Sequence, residues 1–354
     1  MPRNVHFPET VPFMNAMSFL RRVSQAPWFT SAITVILLLI MLGAGGVSYD
    51  AFLSPQVLLN LLVDNAYLLV VAIGMTFVIL SGGIDLSVGS VLALTTMLAA
   101  WLLQTWHWPP LLVMAAVLLF GAAFGGLMGV LIHYFKLQAF IVTLAGMFLA
   151  RGLCYLISID SITIDDPLFV RLSQARIEFG ELFISPSVVI ALVALAMAIW
   201  LAHCTRFGRA VYAIGGSEQS ALLMGLPVGP TKVMVYALSG FCAALGGLLF
   251  AFYMLSGYGL HAQGAELDAI AAVVIGGTLL TGGYGYVAGT LTGVLILGVI
   301  QTLIAFDGTL SSWWTKIFIG ALLFVFCVAQ RLISFGAARR KAAAPVQPVS
   351  MAHP

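Results

Sequence analysis

The chain is 354 residues long; 61% of these are hydrophobic and only 8% are charged, against roughly a quarter in an ordinary soluble domain. That composition excludes a soluble enzyme and describes a polytopic membrane protein, and the formal net charge of +2 is too small to suggest a nucleic-acid partner. Four scattered cysteines, Cys154, Cys204, Cys242 and Cys327, form no CxxC pair and imply neither a disulfide framework nor a metal site.

The chain opens with an extension, residues 1–27, that lacks the apolar run and small-residue cleavage site of a signal peptide, so the first long apolar stretch is expected to be a retained span. At roughly 20 apolar residues per crossing, the sequence predicts about ten spans, near 28–47, 57–80, 88–105, 110–133, 138–158, 186–203, 233–253, 266–282, 287–306 and 312–331. The expected fold is therefore all-α, a single transmembrane domain over residues 28–331 followed by a tail, 332–354, expected to be disordered. Counted from inside, Arg3, Arg21, Arg22, Lys136, Arg206, Arg209, Lys232, Arg331, Arg339, Arg340 and Lys341 fall on the cytoplasmic side, which by the positive-inside rule puts both termini in the cytoplasm. Trp28, Trp106, Trp108, Trp313 and Trp314 mark predicted span ends as interfacial aromatics do.

Between the second and third spans, Ile79-Leu-Ser-Gly-Gly-Ile-Asp-Leu-Ser-Val-Gly-Ser90 gathers a carboxylate, three hydroxyls and three glycines. Irregular backbone and an ionisable side chain at membrane depth are tolerated only when buried in protein or facing a water-filled cavity, and broken helices of this kind build substrate sites in transporters. Asp85 has two readings: with Ser81, Ser87 and Ser90 it lines a polar path, or it caps the next helix through backbone amides. Asp64 and Asn65 in the second span either contact substrate or bond between helices. Arg151, inside the fifth span, requires a partner and is expected to find a carboxylate or a helix C-terminus. Tyr253, Tyr258, Trp313 and Trp314 suit either stacking on a solute or membrane anchoring.

The pattern [IL]-L-[ST]-G-G-x5-G-[ST] at Ile79–Ser90 recurs at Leu279–Thr290, and F-x-A-A-[FL]-G-G-L-[LM] occurs at Phe120–Met128 and Phe241–Leu249. These echoes fit an internal repeat or the small residues that any close-packed membrane helices share. The segment 159–185 is the longest external loop and is expected to form a small cap. Past it, the loop from His203 to Lys232 holds Thr205-Arg-Phe-Gly-Arg-Ala-Val-Tyr-Ala-Ile-Gly-Gly-Ser-Glu-Gln-Ser-Ala-Leu-Leu-Met-Gly-Leu-Pro227. Ser217 is a good N-cap, Glu218 suits a first turn, and Gly225 with Pro227 ends the helix, so a helix of about two turns is predicted here. Its apolar Leu222, Leu223 and Met224 either dock into another protein's groove or lie on the membrane surface.

No G-x-x-x-x-G-K-[ST] is present, since none of the four lysines follows a glycine; the chain binds no ATP through a Walker loop. Gly283-Tyr-Gly-Tyr-Val-Ala288 matches G-x-G-x-x-A but lies between two spans without the strand and acidic residue that give that fingerprint meaning. No H-E-x-x-H, G-x-S-x-G or clustered Cys and His set appears, so no cofactor, metal or catalytic residue is assigned.

The Ser-Gly-Gly-Ile-Asp-Leu-Ser-Val-Gly-Ser motif, with Thr-Arg-Phe-Gly-Arg…Ala-Ile-Gly-Gly…Ala…Met-Gly-Leu, resembles the ribose-type branch of ATP-binding cassette (ABC) importer permeases, a family that includes branched-chain amino acid permeases. Val63-Asp-Asn-Ala-Tyr-Leu, Val274-Ile-Gly-Gly-Thr-Leu-Leu-Thr-Gly-Gly and Phe306-Asp-Gly-Thr-Leu-Ser-Ser-Trp-Trp-Thr-Lys316 resemble in particular the permease subunits of galactofuranose importers; the likeness runs from about Ala51 to Arg331. It implies a bacterial inner-membrane subunit that pairs with a second permease, receives a sugar from a periplasmic binding protein and is driven by a separate cytoplasmic ATPase. It further implies that the loop bearing Arg206, Gly208, Arg209, Gly215, Gly216, Ser217, Glu218, Met224 and Gly225 is what the ATPase grips. An ion-coupled secondary transporter is the alternative; it needs titratable groups at midplane but no docking helix. A membrane enzyme ranks third.

Overall fold

The computed structural model describes residues 29–311 and 313–343; the N-terminal extension, Trp28 and the last residues of the tail lie outside them. Within the described residues there are thirteen helices and only short strands. In chain order they are α1 (Phe29–Ser48), α2 (Pro55–Leu80), α3 (Val88–Gln104), α4 (Pro110–Tyr134), α5 (Ala139–Ile157), β1 (Ile162–Thr163), α6 (Pro167–Gln174), β2 (Ile177–Phe179), β3 (Leu182–Ile184), α7 (Pro186–Cys204), α8 (Arg206–Gly216), α9 (Glu218–Leu223), α10 (Val228–Met254), β4 (Ser256–Gly257), α11 (Ala265–Ile275), α12 (Val287–Asp307) and α13 (Trp313–Ala343).

All ten predicted spans fall on helices, but only seven of those helices are long and apolar enough to cross a membrane alone: α2, α4, α5, α7, α10, α12 and α13. Two more, α1 and α3, are shorter apolar helices. The predicted span at 266–282 is corrected to the eleven-residue α11, because Gly276 and Gly277 end it and Gly277 adopts φ +97°, which a residue with a Cβ avoids. At the C-terminus α13 continues to Ala343, so the hydropathy boundary at 331 is not a helix end.

The core forms around α2, whose residues from Leu68 to Leu80 are all buried; an apolar helix surrounded by other helices needs no polar face. Next to it stands α10, which crosses α4 antiparallel where Gly121, Gly125 and Gly129 lie on the backbone of Gly240, Tyr236 and Val233. Small residues let the two backbones touch, the source of packing energy in lipid, where no hydrophobic drive operates between helices. The second F-x-A-A copy uses its glycines against other neighbours: Gly246 meets Tyr67 and Val71 of α2, and Gly247 meets Leu92 and Thr95 of α3. Close approach is thus the role of both copies. The segment 159–185 forms the expected cap: β1 pairs with β4, β2 and β3 make a hairpin, and Asp166 caps α6 by accepting from the amides of Leu168 and Phe169.

Candidate functional site

Three segments from distant parts of the chain meet at one end of the bundle. Helix α2 stops at Leu80, leaving its last carbonyls without intrahelical donors. Gly82 turns left-handed at φ +79°; its amide returns to Ile79 O, the Gly83 amide bonds Val78 O at 2.9 Å, and the Ser81 hydroxyl donates to the same Val78 O at 2.8 Å. The remaining carbonyl, Leu80 O, accepts from the Gly283 amide of the second break at 2.9 Å. The second copy makes the same turn: Gly282 sits at φ +81° and its amide bonds Leu279 O at 3.0 Å. A Cβ on Gly215, at the end of α8, would fall on Leu80 O and the Gly283 amide; the close approach of all three backbones requires glycine there.

The two copies diverge after the turn. Asp85 is fully buried; its Oδ1 accepts from the Ser87 amide at 3.0 Å and the Ser87 hydroxyl at 2.6 Å, and its Oδ2 accepts from the Ser239 hydroxyl of α10 at 2.8 Å. Ser87 is the N-cap residue of α3, although its own side chain makes no capping bond, and Ser90 donates to Ser87 O at 2.7 Å. Asp85 therefore ties the segment after Leu80 to α10 and organises the start of α3. The equivalent position in the second copy is Gly285, whose carbonyl accepts from Tyr212 of α8 at 2.8 Å.

The structure brings Ser81, Asp85, Ser87 and Ser90 together but leaves Asp64 and Asn65 apart, more than four turns of α2 away. Asp64 is exposed at the opposite end and accepts from the Tyr253 hydroxyl at 3.3 Å. Asn65 is buried, bonding Leu61 O in its own helix at 2.9 Å and packing against Gly298 of α12. Arg151 donates to Gly259 O at 2.5 Å and His261 O at 2.8 Å, in the segment joining α10 to α11, and the carboxylate that acts on it electrostatically is Glu266, without a direct ion pair.

The loop from Thr205 to Pro227 holds two helices where one was predicted. In α8, Thr205 caps by accepting from the Gly208 amide, Gly208 lies against the Ala202 carbonyl, and Arg206 and Arg209 are exposed while Ala210, Val211 and Ile214 are buried. The spacing of those apolar residues could have revealed this helix in the sequence. Ser217 caps the predicted helix α9 by accepting from the Ser220 amide at 3.2 Å, Gly216 is exposed, and Gly225 turns at φ +75°. Glu218 bonds Lys232 at 2.7 Å. Leu222, Leu223 and Met224 form an exposed apolar ridge, Leu223 being 90% exposed.

Two fused glycine breaks and a ridged helical loop packed directly on them thus form one site at this end of the bundle. The chain belongs to the family described as branched-chain amino acid transport system / permease component, whose model matches residues 57–327. It is 52% identical to the inner membrane ABC transporter permease protein YjfF of Escherichia coli K12, over 80% of this chain and 86% of the relative. It is 40% identical to the fructose import permease protein FruG of Bifidobacterium longum, over 84% and 89%, and 33% identical to the galactose/methyl galactoside import permease protein MglC of Salmonella typhimurium, over 92% and 100%. No solved structure matches. The chain is a multi-pass membrane protein of the ABC sugar-permease kind.

Proposed function

We propose that this chain is the membrane-spanning subunit of an ATP-driven importer that carries a monosaccharide, galactofuranose- or ribose-like, across a bacterial inner membrane, with both termini in the cytoplasm. The observation that carries this reading is the contact of Gly215 with Leu80 and Gly283. Because no gap separates the end of α8 from either break, a push on α9 is delivered to both as one displacement, which is what a packed interface with two arrangements transmits. The exposed ridge Leu222–Met224, flanked by Arg206, Arg209 and Glu218, is the surface a cytoplasmic ATPase holds. ATP hydrolysis belongs to that subunit, and a periplasmic binding protein delivers sugar at the end bearing Asp64 and the α6 cap. A second permease, related or identical, completes the path. Ser81, Asp85, Ser87 and Ser90 support and border that path at the first break, while Asp64 and Asn65 stand nearer its entrance.

The test is reconstitution in vesicles with the ATPase and periplasmic binding protein of a sugar importer. Sugar uptake is expected only when all components and ATP are present. Uptake by this chain alone, energised by a proton or sodium gradient, would replace this reading with the ion-coupled one.

A further inference from the structure

Two of the helices begin in the middle of the membrane. The segment after Leu80 turns back into the bundle, Ile84 O accepting from Tyr236 at 3.3 Å and Asp85 from Ser239. Ser239 lies about three turns into α10, or roughly 17 Å along it, so α3 starts near the midpoint of a hydrocarbon layer about 30 Å thick. From the opposite end the chain after α10 also turns inward. Gly257 lies on Thr96 and Met97 of α3, whereas Ala262 O and Glu266 lie on Gly89 in the first turn of α3, so residues 257–264 descend alongside that helix. Arg151 pins this descent through Gly259 O and His261 O. Helix α11 then begins beside the start of α3, and neither N-terminus has a capping side chain.

Glu266 stands between these two helix starts. Its Oε2 is shut off from solvent and accepts no hydrogen bond; it occupies the space that Gly89 leaves by having no Cβ. The rest of the residue is partly exposed, and Gln263 and Leu267 next to it are exposed. Asp268, two residues further along, is paired with Lys316 at 2.6 Å. Amide and carboxylate groups at this depth are incompatible with a lipid neighbour, so this face borders a polar path.

We propose that Glu266 is the sugar-binding group at the middle of that path, its carboxylate accepting hydrogen bonds from hydroxyl groups of a neutral monosaccharide; this rests on the permease reading above. An ionised carboxylate offers only acceptors; with Oε2 shut against Gly89, it is the other oxygen, Oε1, to which sugar hydroxyls donate. Such charge-assisted bonds are roughly twice as strong as neutral ones and replace the water a sugar sheds on entering a dry passage. The two helix N-termini favour the carboxylate's negative charge, and that charge disfavours anionic solutes. The site therefore selects uncharged polyols.

The experiment uses the complete complex in vesicles with tritiated D-galactose, D-fructose and D-ribose. If the unmodified complex carries none of them with ATP present, the permease reading itself fails. Given uptake, Glu266→Gln is expected to lower it at least tenfold while co-purification of the ATPase and sugar-free ATP hydrolysis stay unchanged, and Glu266→Asp to restore part of it. Separately, Leu267→Cys, in a chain with the four native cysteines replaced, is expected to react with a charged methanethiosulfonate reagent at a rate the carried sugar slows at least threefold. Unchanged uptake in Glu266→Gln overturns the proposal. So does an inert Cys at this position, or one whose labelling the sugar does not affect, even if Glu266→Gln also loses the ATPase.

Discussion

The amide of Gly283 donates to the carbonyl of Leu80 across 2.9 Å, which makes one structural unit of two glycine-rich breaks that stand in different halves of the chain. Helix α8 ends on this bond, so its last residues, the end of α2 and the second break have to move together or come apart.

Gly215→Val tests that coupling. The added Cβ meets Leu80 O and the Gly283 amide, and backbone on both sides cannot yield as a flexible side chain would. Overpacking of this kind costs about 1–3 kcal/mol. A melting temperature in detergent several degrees below that of the unmodified protein is expected, with loss of uptake. Gly152→Ala in α5 is the control, because nothing lies within 4 Å of a Cβ there; it should melt and transport normally.

Asp85→Leu removes the acceptor for the Ser87 amide, the Ser87 hydroxyl and the Ser239 hydroxyl. Each buried donor left unpaired costs about 1–3 kcal/mol, and the damage falls at the start of α3, away from the exposed ridge on α9. Poor transport with retained co-purification of the ATPase is therefore expected. Asp85→Asn keeps one acceptor and the ability to shape a helix start; near-normal uptake in that variant assigns the carboxylate to architecture, and loss of uptake assigns it to charge.

Hydrogen bonding from Lys232, the largest influence on it, holds the Glu218 carboxyl below its ordinary value of 4.5. A depressed carboxyl pKa stabilises the fold above the unfolded-state value, and the contribution disappears as pH falls through the lower, folded-state value. The two side chains are 40% and 18% exposed, so solvent screening limits the pair to about 1 kcal/mol or less. Melting of Glu218→Gln should trail that of the unmodified protein slightly at pH 7 and match it once the pH is well below 4.5. Any larger deficit in uptake or ATPase co-purification then reports docking and not stability.

Orientation is checked by a single cysteine at Ser217, which is exposed at the start of α9. With native cysteines replaced, it should react with membrane-impermeant thiol reagents only from the cytoplasmic side. Labelling in intact cells from the periplasm would reverse the topology and remove the ATPase from this surface.

Hydropathy by itself determined the all-α membrane class and the position of every long helix, because an apolar stretch in lipid has to satisfy its backbone internally. Local chemistry at Ser217 and Gly225 likewise foretold a cap and a helix end, since capping and left-handed φ depend on a residue and its near neighbours. The length of α11 was not read from hydropathy, which carried the span to 282; the left-handed Gly277 and the packing of Gly276 against Gly289 together stop the helix at Ile275. The bond of Asp85 to Ser239, the partners of Arg151, the union of Leu80 with Gly283, and the position of Glu266 beside Gly89 were decided by tertiary structure alone. Each joins segments far apart in the chain, and no local propensity or periodicity records which distant backbone will supply a donor or leave room for a carboxylate.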